Sequence, residues 1–312
     1  MIIIDMNPTV SIDGAAPLAH LGLIRARGDD AARFLNAQLT NELLSLRQGE
    51  ARWAGFCSAK GRLQANFLVW SAGAQDVLLL CSADLLAATL KRLSMFVLRL
   101  QCKLSDASAE LPLHGVAGAS ATPWAHGLGV FAVVSHADGH AIRLPDAAGT
   151  SRVILVGAPG QAPAGPVLDL ERWRWLEVQS ALPWIETRTV DRFVPQMLNQ
   201  ELIGAVDFHK GCYPGQEVVA RSQYRGTIKR RMFLFDTEAS AAAGDEVYWS
   251  EDREQPAGLV VNAARGPHGT TAALVEVKLA ALEGGSLHLG VPDGPRLHRA
   301  TMPYSVPLGE PA

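Results

Sequence analysis

The feature that most constrains this chain is a change of hydrophobic rhythm late in its length. From "TIKRRMFLFD" (227–236) onward, short apolar runs alternate with turn residues: "AGDEVYWS", "PAGLVVNAARG", "TAALVEV" and "SLHLGV". Runs this short, each bounded by glycine, proline or aspartate, make strands joined by tight turns. A set of such strands protects its edges best by closing on itself. Residues 226–312 are therefore expected to form a small β-barrel, with the domain boundary near residue 226.

Residues 1–225 have a different grain. Leu35, Leu39, Leu43 and Leu46 in "GDDAARFLNAQLTNELLSL" share a helical face behind Asp29 or Asp30 as N-cap. "RLQANFLVW" (62–70) and "DVLLLC" (76–81) read as neighbouring strands joined by the turn "SAGAQ". Helical spacing returns in "ADLLAATLKRLSMFVLRL" through Leu86, Leu90, Leu93 and Val97. Glycine, proline and alanine thicken at 115–129 and again at 157–166, which predicts connectors between layers. "DLERWRWLEVQSALPWI" (169–185) predicts a helix that Pro183 stops. Strands and helices mixed in this order indicate an α+β class and not a regular parallel array.

Composition narrows the function. Hydrophobic residues make up 48% and charged ones 19%, which supplies enough apolar surface for ordered cores. A net charge of −3 argues against a protein that coats nucleic acid, so no direct nucleic-acid contact is expected. No apolar run has the roughly 20 residues that span a bilayer, so no membrane is expected. The start "MIIIDMNPTVSIDG" lacks a basic region and an apolar stretch of signal-peptide form. The four cysteines, Cys57, Cys81, Cys102 and Cys212, are scattered, which suits a reducing cytoplasm. The phosphate loop, the dinucleotide glycine motif and the nucleophile elbow are all missing from the sequence. His136 and His140 have the spacing of a helical metal pair but sit among turn formers, which favours two surface histidines.

The stretch "HKGCYPGQEVVAR" (209–221) is the chemical candidate. Gly211 and Gly215 allow positive φ or close approach, and Pro214 fixes the turn between them. Pro214 also bars helix at Tyr213, so the "GQEVVAR" segment begins after it. Cys212 then lies just ahead of a helix N-terminus and beside Lys210, a setting that favours thiolate. In this reading Tyr213 packs on an aromatic ligand, and Glu217 caps the turn or accepts a proton from a ring nitrogen.

"KGCYPGQEVVAR" closely resembles the K-G-C-Y-x-G-Q-E signature of the YgfZ family of folate-binding proteins. "FLNAQLTNELLSL", "CSAKGRLQANFLVW", "FVPQMLNQELIGAVDFHKGC" and "RGTIKRR" are similar to further segments of that family, and the resemblance runs from about residue 20 to residue 305. It implies the fold of the glycine-cleavage aminomethyltransferase: two α+β lobes around a central channel for tetrahydrofolate, plus a C-terminal β-barrel. It also implies a role in assembly or repair of iron–sulfur clusters in selected enzymes, radical enzymes that modify tRNA among them. Cys212 is the signature cysteine, helped by Lys210. Whether it touches a cluster, carries sulfur or attacks an adduct stays open. Lys60, Gly61, Arg62, Asn66, Gln179, Tyr213, Gly215, Gln216 and Glu217 are the expected folate-binding residues, with Lys60 or Arg62 suited to the glutamate tail.

The alternative is a working one-carbon transferase. The transferase that shares this fold uses an aspartate in the strand after the K-G loop. Here no carboxylate occurs between Glu50 and Asp76, and the strand offers Gln64 and Asn66. Amides do not take up a proton near neutral pH. Glu177, Gln179 and Ala181 fall where the transferase helix carries R-x-E-x-G, a second departure in the same direction.

Overall fold

A computed structural model of the chain describes residues 12–136, 139–157, 163, 165–225 and 228–308. Strands β1 (Gly14–Pro17) and β2 (Leu21–Arg27) lead into α1 (Ala31–Gln38), followed by β3 (Ala51–Cys57), β4 (Leu63–Gly73) and β5 (Asp76–Ser82). Helix α2 (Ala83–Ser94) precedes β6 (Lys103–Asp106), β7 (Leu113–Ala117) and the one-turn α3 (Thr122–Ala125). Then come β8 (Val133–His136), β9 (Gly139–Ala147), β10 (Thr150–Val156), α4 (Leu170–Gln179) and α5 (Gln216–Tyr224). The last strands are β11 (Arg230–Thr237), β12 (Glu246–Trp249), β13 (Gly258–Arg265), β14 (Thr271–Lys278), β15 (Leu287–Leu289) and β16 (Arg296–Arg299).

These strands form two five-stranded sheets and a closed barrel. The first sheet runs β3-β4-β5-β2-β6 and the second β1-β7-β10-β9-β8; the barrel runs β11-β14-β13-β12-β15-β16. The unbroken apolar runs of β4 and β5 follow from burial on both faces of the first sheet. Leu68, Trp70, Leu78 and Leu80 join a core shared with Ile142, Leu144 and Ile154 of the second sheet. Their neighbours Phe67, Val69, Leu79 and Cys81 join a core with α1, α2 and the outer face of the barrel. Successive strand residues point to opposite faces, so one sheet serves two cores. Each such side chain contributes about 1.5–3 kcal/mol on full burial.

The barrel repeats the device. Phe233, Phe235, Val275 and Val277 fill its interior, whereas Met232, Leu234 and Leu274 face the first sheet's core. Strand β13 carries a bulge between Val260 and Asn262.

Several boundaries differ from expectation. Helix α1 ends at Gln38 because Leu39 turns extended and bridges Phe56, so Leu43 and Leu46 lie beyond it. Asp30 is the N-cap residue, but its carboxylate accepts from Gln101 N at 2.8 Å and caps nothing in α1. Helix α2 ends at Ser94, which leaves Val97 in the following turn. Helix α4 stops at Gln179, four residues before Pro183, where Ala181 takes a φ of +52°. Residues 115–117, expected in a connector, finish β7 in the second sheet between β1 and β10. Of the 157–166 connector, residues 158–162 and 164 lie outside the described residues, as do residues 226–227 at the expected boundary. Strand β11 begins at Arg230. His136 and His140 lie on the paired strands β8 and β9 and on no helix. Strand β16 went unread because "RLHR" has a single buried residue. Among the described residues no helix is long and apolar enough to cross a membrane.

Barrel and lobes are tied together by a buried ion pair. Arg231 Nη1 donates to Glu201 Oε1, to Asn199 Oδ1 at 3.3 Å and to Gln196 O at 3.2 Å. Burial raises the Glu201 carboxyl pKa even with Arg231 opposing. Arg231→Ala strands that carboxylate, so the expected loss is roughly 3–5 kcal/mol, read from the urea midpoint.

Candidate functional site

The Cys212 loop is held at both ends. Asp207 Oδ1 accepts from His209 N at 2.7 Å and from Lys210 N at 3.2 Å, which fixes the entry turn. Lys210 Nζ then reaches back to α1 and donates to the carbonyls of Asn36, Leu39 (2.6 Å) and Asn41 (2.8 Å). Three donors meet three acceptors at a helix C-terminus, where unpaired carbonyls and the helix dipole favour a cation. Burial pulls the Lys210 pKa down to about 8. The ammonium lies 5.4 Å from the centre of the Tyr213 ring, and that ring is itself 6% exposed. Between these anchors Gly211 and Cys212 are exposed. Lys210 thus serves the end of α1, and Tyr213 stacks beneath it.

Gly215 locks the far side. It sits at φ +78° as the N-cap of α5, and a Cβ there would lie 2.4 Å from Ser58 O and 2.7 Å from Gly61 Cα. Gly61, at φ +68°, turns the hairpin between β3 and β4, and a Cβ on it would meet Val218 at 2.7 Å. Only glycine combines that backbone with that closeness. The two motifs read separately in the sequence, K-G-R and C-Y-P-G-Q, are therefore one packed unit. Gly211 has open space, with nothing within 4 Å of a Cβ. Nor is its φ positive, so neither positive φ nor close approach, the two expected reasons for glycine, applies there.

The other thiols have no such access. Burial pushes Cys57 and Cys81 up to about 12, with nearby carboxylates adding to it. It also raises Cys102, which is half-buried. Thiolate is the nucleophile, so Cys212 is the reactive candidate by exposure.

The remaining expected ligands make their contacts within the chain. Asn66 is buried in β4; its Nδ2 donates to Pro183 O at 2.6 Å and its Oδ1 accepts from Ile185 N at 2.8 Å. Both ends of the amide are spent on backbone. Gln64 Nε2 lies 3.4 Å from Asp191 Oδ2. Arg62 Nη1 donates to Arg192 O at 2.6 Å, and Lys60 is exposed at the hairpin tip. Glu217 is exposed and pairs with Arg221 at 2.9 Å, an i,i+4 contact within α5. Gln216 opens α5. Gln179 ends α4 half-buried, and Ala181 just beyond it takes a positive φ. Trp173 is core: it is fully buried, and a Cβ on Gly115 would lie 2.4 Å from its ring.

A cavity of about 280 Å³ lies elsewhere, between the β5–α2 junction, α4 and the β13 bulge, and none of the expected ligands lines it. His20, Asp84, Arg174, Glu177, Trp184 and Glu186 do. They come from distant parts of the chain, and of them the sequence pattern singles out Glu177 alone. Among the described residues no group of three His, Cys, Asp or Glu side chains is arranged to hold a metal.

No family model matches the chain. It is 30% identical to the tRNA-modifying protein YgfZ of an Aliivibrio fischeri strain over 269 residues, 81% of each chain. Identity to the YgfZ of Edwardsiella ictaluri is 31% over 236 residues, 67% of each. The chain belongs to the YgfZ family. A solved structure of the glycine cleavage system aminomethyltransferase T from Bartonella henselae superposes with a TM-score of 0.73 at 16% identity, covering 96% of this chain and 86% of that one. The YgfZ chain thus has the aminomethyltransferase fold, with mixed α and β layers and a closed six-stranded barrel.

Two substitutions test the loop clamp. Gly215→Ala is expected to cost roughly 2–4 kcal/mol from backbone strain and overlap. Gly211→Ala should stay within about 0.5 kcal/mol of the parent, because its space is open. Both are read by urea unfolding. At the amide, Asn66→Asp loses the donor to Pro183 O and buries a charge against it, for an expected loss of about 2–4 kcal/mol by the same assay.

Proposed function

We propose that this YgfZ-family protein supports the assembly or repair of iron–sulfur clusters in selected enzymes, tRNA-modifying ones among them, with Cys212 as its working thiol. The observation that carries the reading is the exposure of Cys212 between two fixed anchors, while the other three cysteines are partly or wholly buried. A nucleophile needs access and a defined position; the Lys210 and Tyr213 anchors supply the second without covering the sulfur. The relatives named for tRNA modification support the choice of client class.

Tetrahydrofolate belongs to this reading as the ligand expected of the family and its fold. The expected contact residues are engaged with backbone, packed against each other or exposed. Aminomethyl transfer is disfavoured by the same geometry. Asn66 is an amide, which takes up no proton near neutral pH and is bonded to Pro183 O and Ile185 N, and Glu217, the nearest substitute, faces solvent beside Arg221.

The decisive experiment uses a strain lacking the gene. Cys212→Ala should leave the melting temperature within about 1 °C of the parent, as expected for an exposed side chain. It should fail to restore iron–sulfur-dependent tRNA modification under oxidative stress. Full restoration by the variant would remove the thiol from the mechanism. Calorimetry with 5-formyltetrahydrofolate on the parent tests the folate part separately.

A further inference from the structure

The link between α2 and β6, residues 95–102, sets apolar side chains in water. Leu93 is buried, and Val97 and Leu100 pack on the core shared with α1 and the barrel. Between these anchors Met95, Phe96 and Leu98 point outward, 66%, 41% and 87% exposed. The projection is tied by its own backbone: the amides of Met95, Phe96, Val97 and Leu100 each donate to the carbonyl three residues back, at 3.0–3.3 Å. Leu98 holds a φ of +47°, where a Cβ is strained and glycine or asparagine is the usual choice. One position thus carries the cost of strain and the cost of an exposed leucine together, which marks a surface that meets something.

Cations accompany the apolar tip. Lys91 and Arg92 on the last turn of α2, Arg99 in the link and Lys103 at the start of β6 are all exposed, and none of the four forms an ion pair among the described residues. Lys91 and Arg92 also suit the C-terminus of α2, but Arg99 and Lys103 lie beyond it. No Asp or Glu occurs between Asp84 and Asp106, in a chain whose net charge is −3. Asp30, which accepts from Gln101 N at 2.8 Å, has Arg33 at 3.8 Å. The Arg92 guanidinium stands 5.9 Å from the centre of the Phe96 ring, so charge and apolar surface adjoin.

We propose that this projection is a docking surface for an anionic lipid bilayer, with Met95, Phe96 and Leu98 entering the headgroup boundary and the four cations meeting lipid phosphates. Charge complementarity selects that partner: a bilayer offers an apolar interior directly beneath a layer of negative charge. Shape agrees with it. A side chain as open as Leu98 stands on a projection, which a bilayer receives whatever its outline, whereas a bound peptide needs a groove. Such contact lies in the interface plane and needs no spanning segment. The surface is independent of Cys212 and of the folate reading.

The test is co-sedimentation of the full chain with vesicles of phosphatidylcholine containing about one-third phosphatidylglycerol, against vesicles of phosphatidylcholine alone. The chain should sediment with the anionic vesicles and stay in solution with the neutral ones, and raising salt from about 0.1 M to about 0.5 M should release it. Leu98→Asn should lower the partition about fivefold or more while keeping the melting temperature at or above the parent's, because asparagine relieves the strained backbone. Arg99→Glu with Lys103→Glu should abolish sedimentation, and thermal melting checks that this variant folds. A parent that ignores the anionic vesicles overturns the proposal and would leave the patch to an acidic protein partner. Equal binding to neutral vesicles, or either variant folded and binding as the parent does, overturns it too. A lower melting temperature for Leu98→Asn would show the leucine to be held by packing, with the same force.

Discussion

Two asparagine side chains hold the extended segment 183–186 from opposite sides, and most of the architecture depends on them. Asn66, from the first sheet, takes Pro183 O and Ile185 N. Asn262, from the barrel, takes both backbone groups of Trp184. Each amide imitates a neighbouring strand, offering one donor and one acceptor. Segment, sheet and barrel are thereby set in register at a place where no backbone ladder runs. Each bond contributes about 1 kcal/mol net, but a buried partner left unpaired costs more, so the clasp specifies position more than it adds stability.

This clasp gives a physical reason for an amide at residue 66. A carboxylate accepts and does not donate when ionised, so it would meet Pro183 O with like partial charge. The residue that reads as a lost catalytic acid is, in this chain, a structural crosslink. Lys210 follows the same logic: a cation beside a thiol looks like an activator, yet its three hydrogen bonds go to the end of α1.

Those two cases mark where the sequence stops being informative. Strands β4 and β5 were legible because two-sided burial writes itself as continuous hydrocarbon in "NFLVW" and "VLLLC". The barrel was legible because short strands need frequent turns. Strand β16 was not, since its four residues keep a single side chain inside. Helix α1 is shorter than its sequence suggests, because leucines at helical spacing continue past the point where Leu39 bridges Phe56. The prominence of Cys212 could be read from its neighbours, but the partners of Asn66, Arg62 and Lys210 could not, because residue type does not say what a polar group faces. The charged cavity left no local trace, its walls running from residue 19 to residue 274.

The contact between Gly61 and Gly215 couples the lengths of two loops far apart in the chain. Because the Gly61 backbone occupies the volume a methyl group would need on Gly215, and Val218 and Gly215 O crowd the same position on Gly61, inserting or deleting one residue in either loop would unseat both glycines at once. The sulfur's height above the surface is therefore gauged by a hairpin some 150 positions upstream (Gly61 against Cys212). Engineering that moves the thiol has to redesign both loops as a pair.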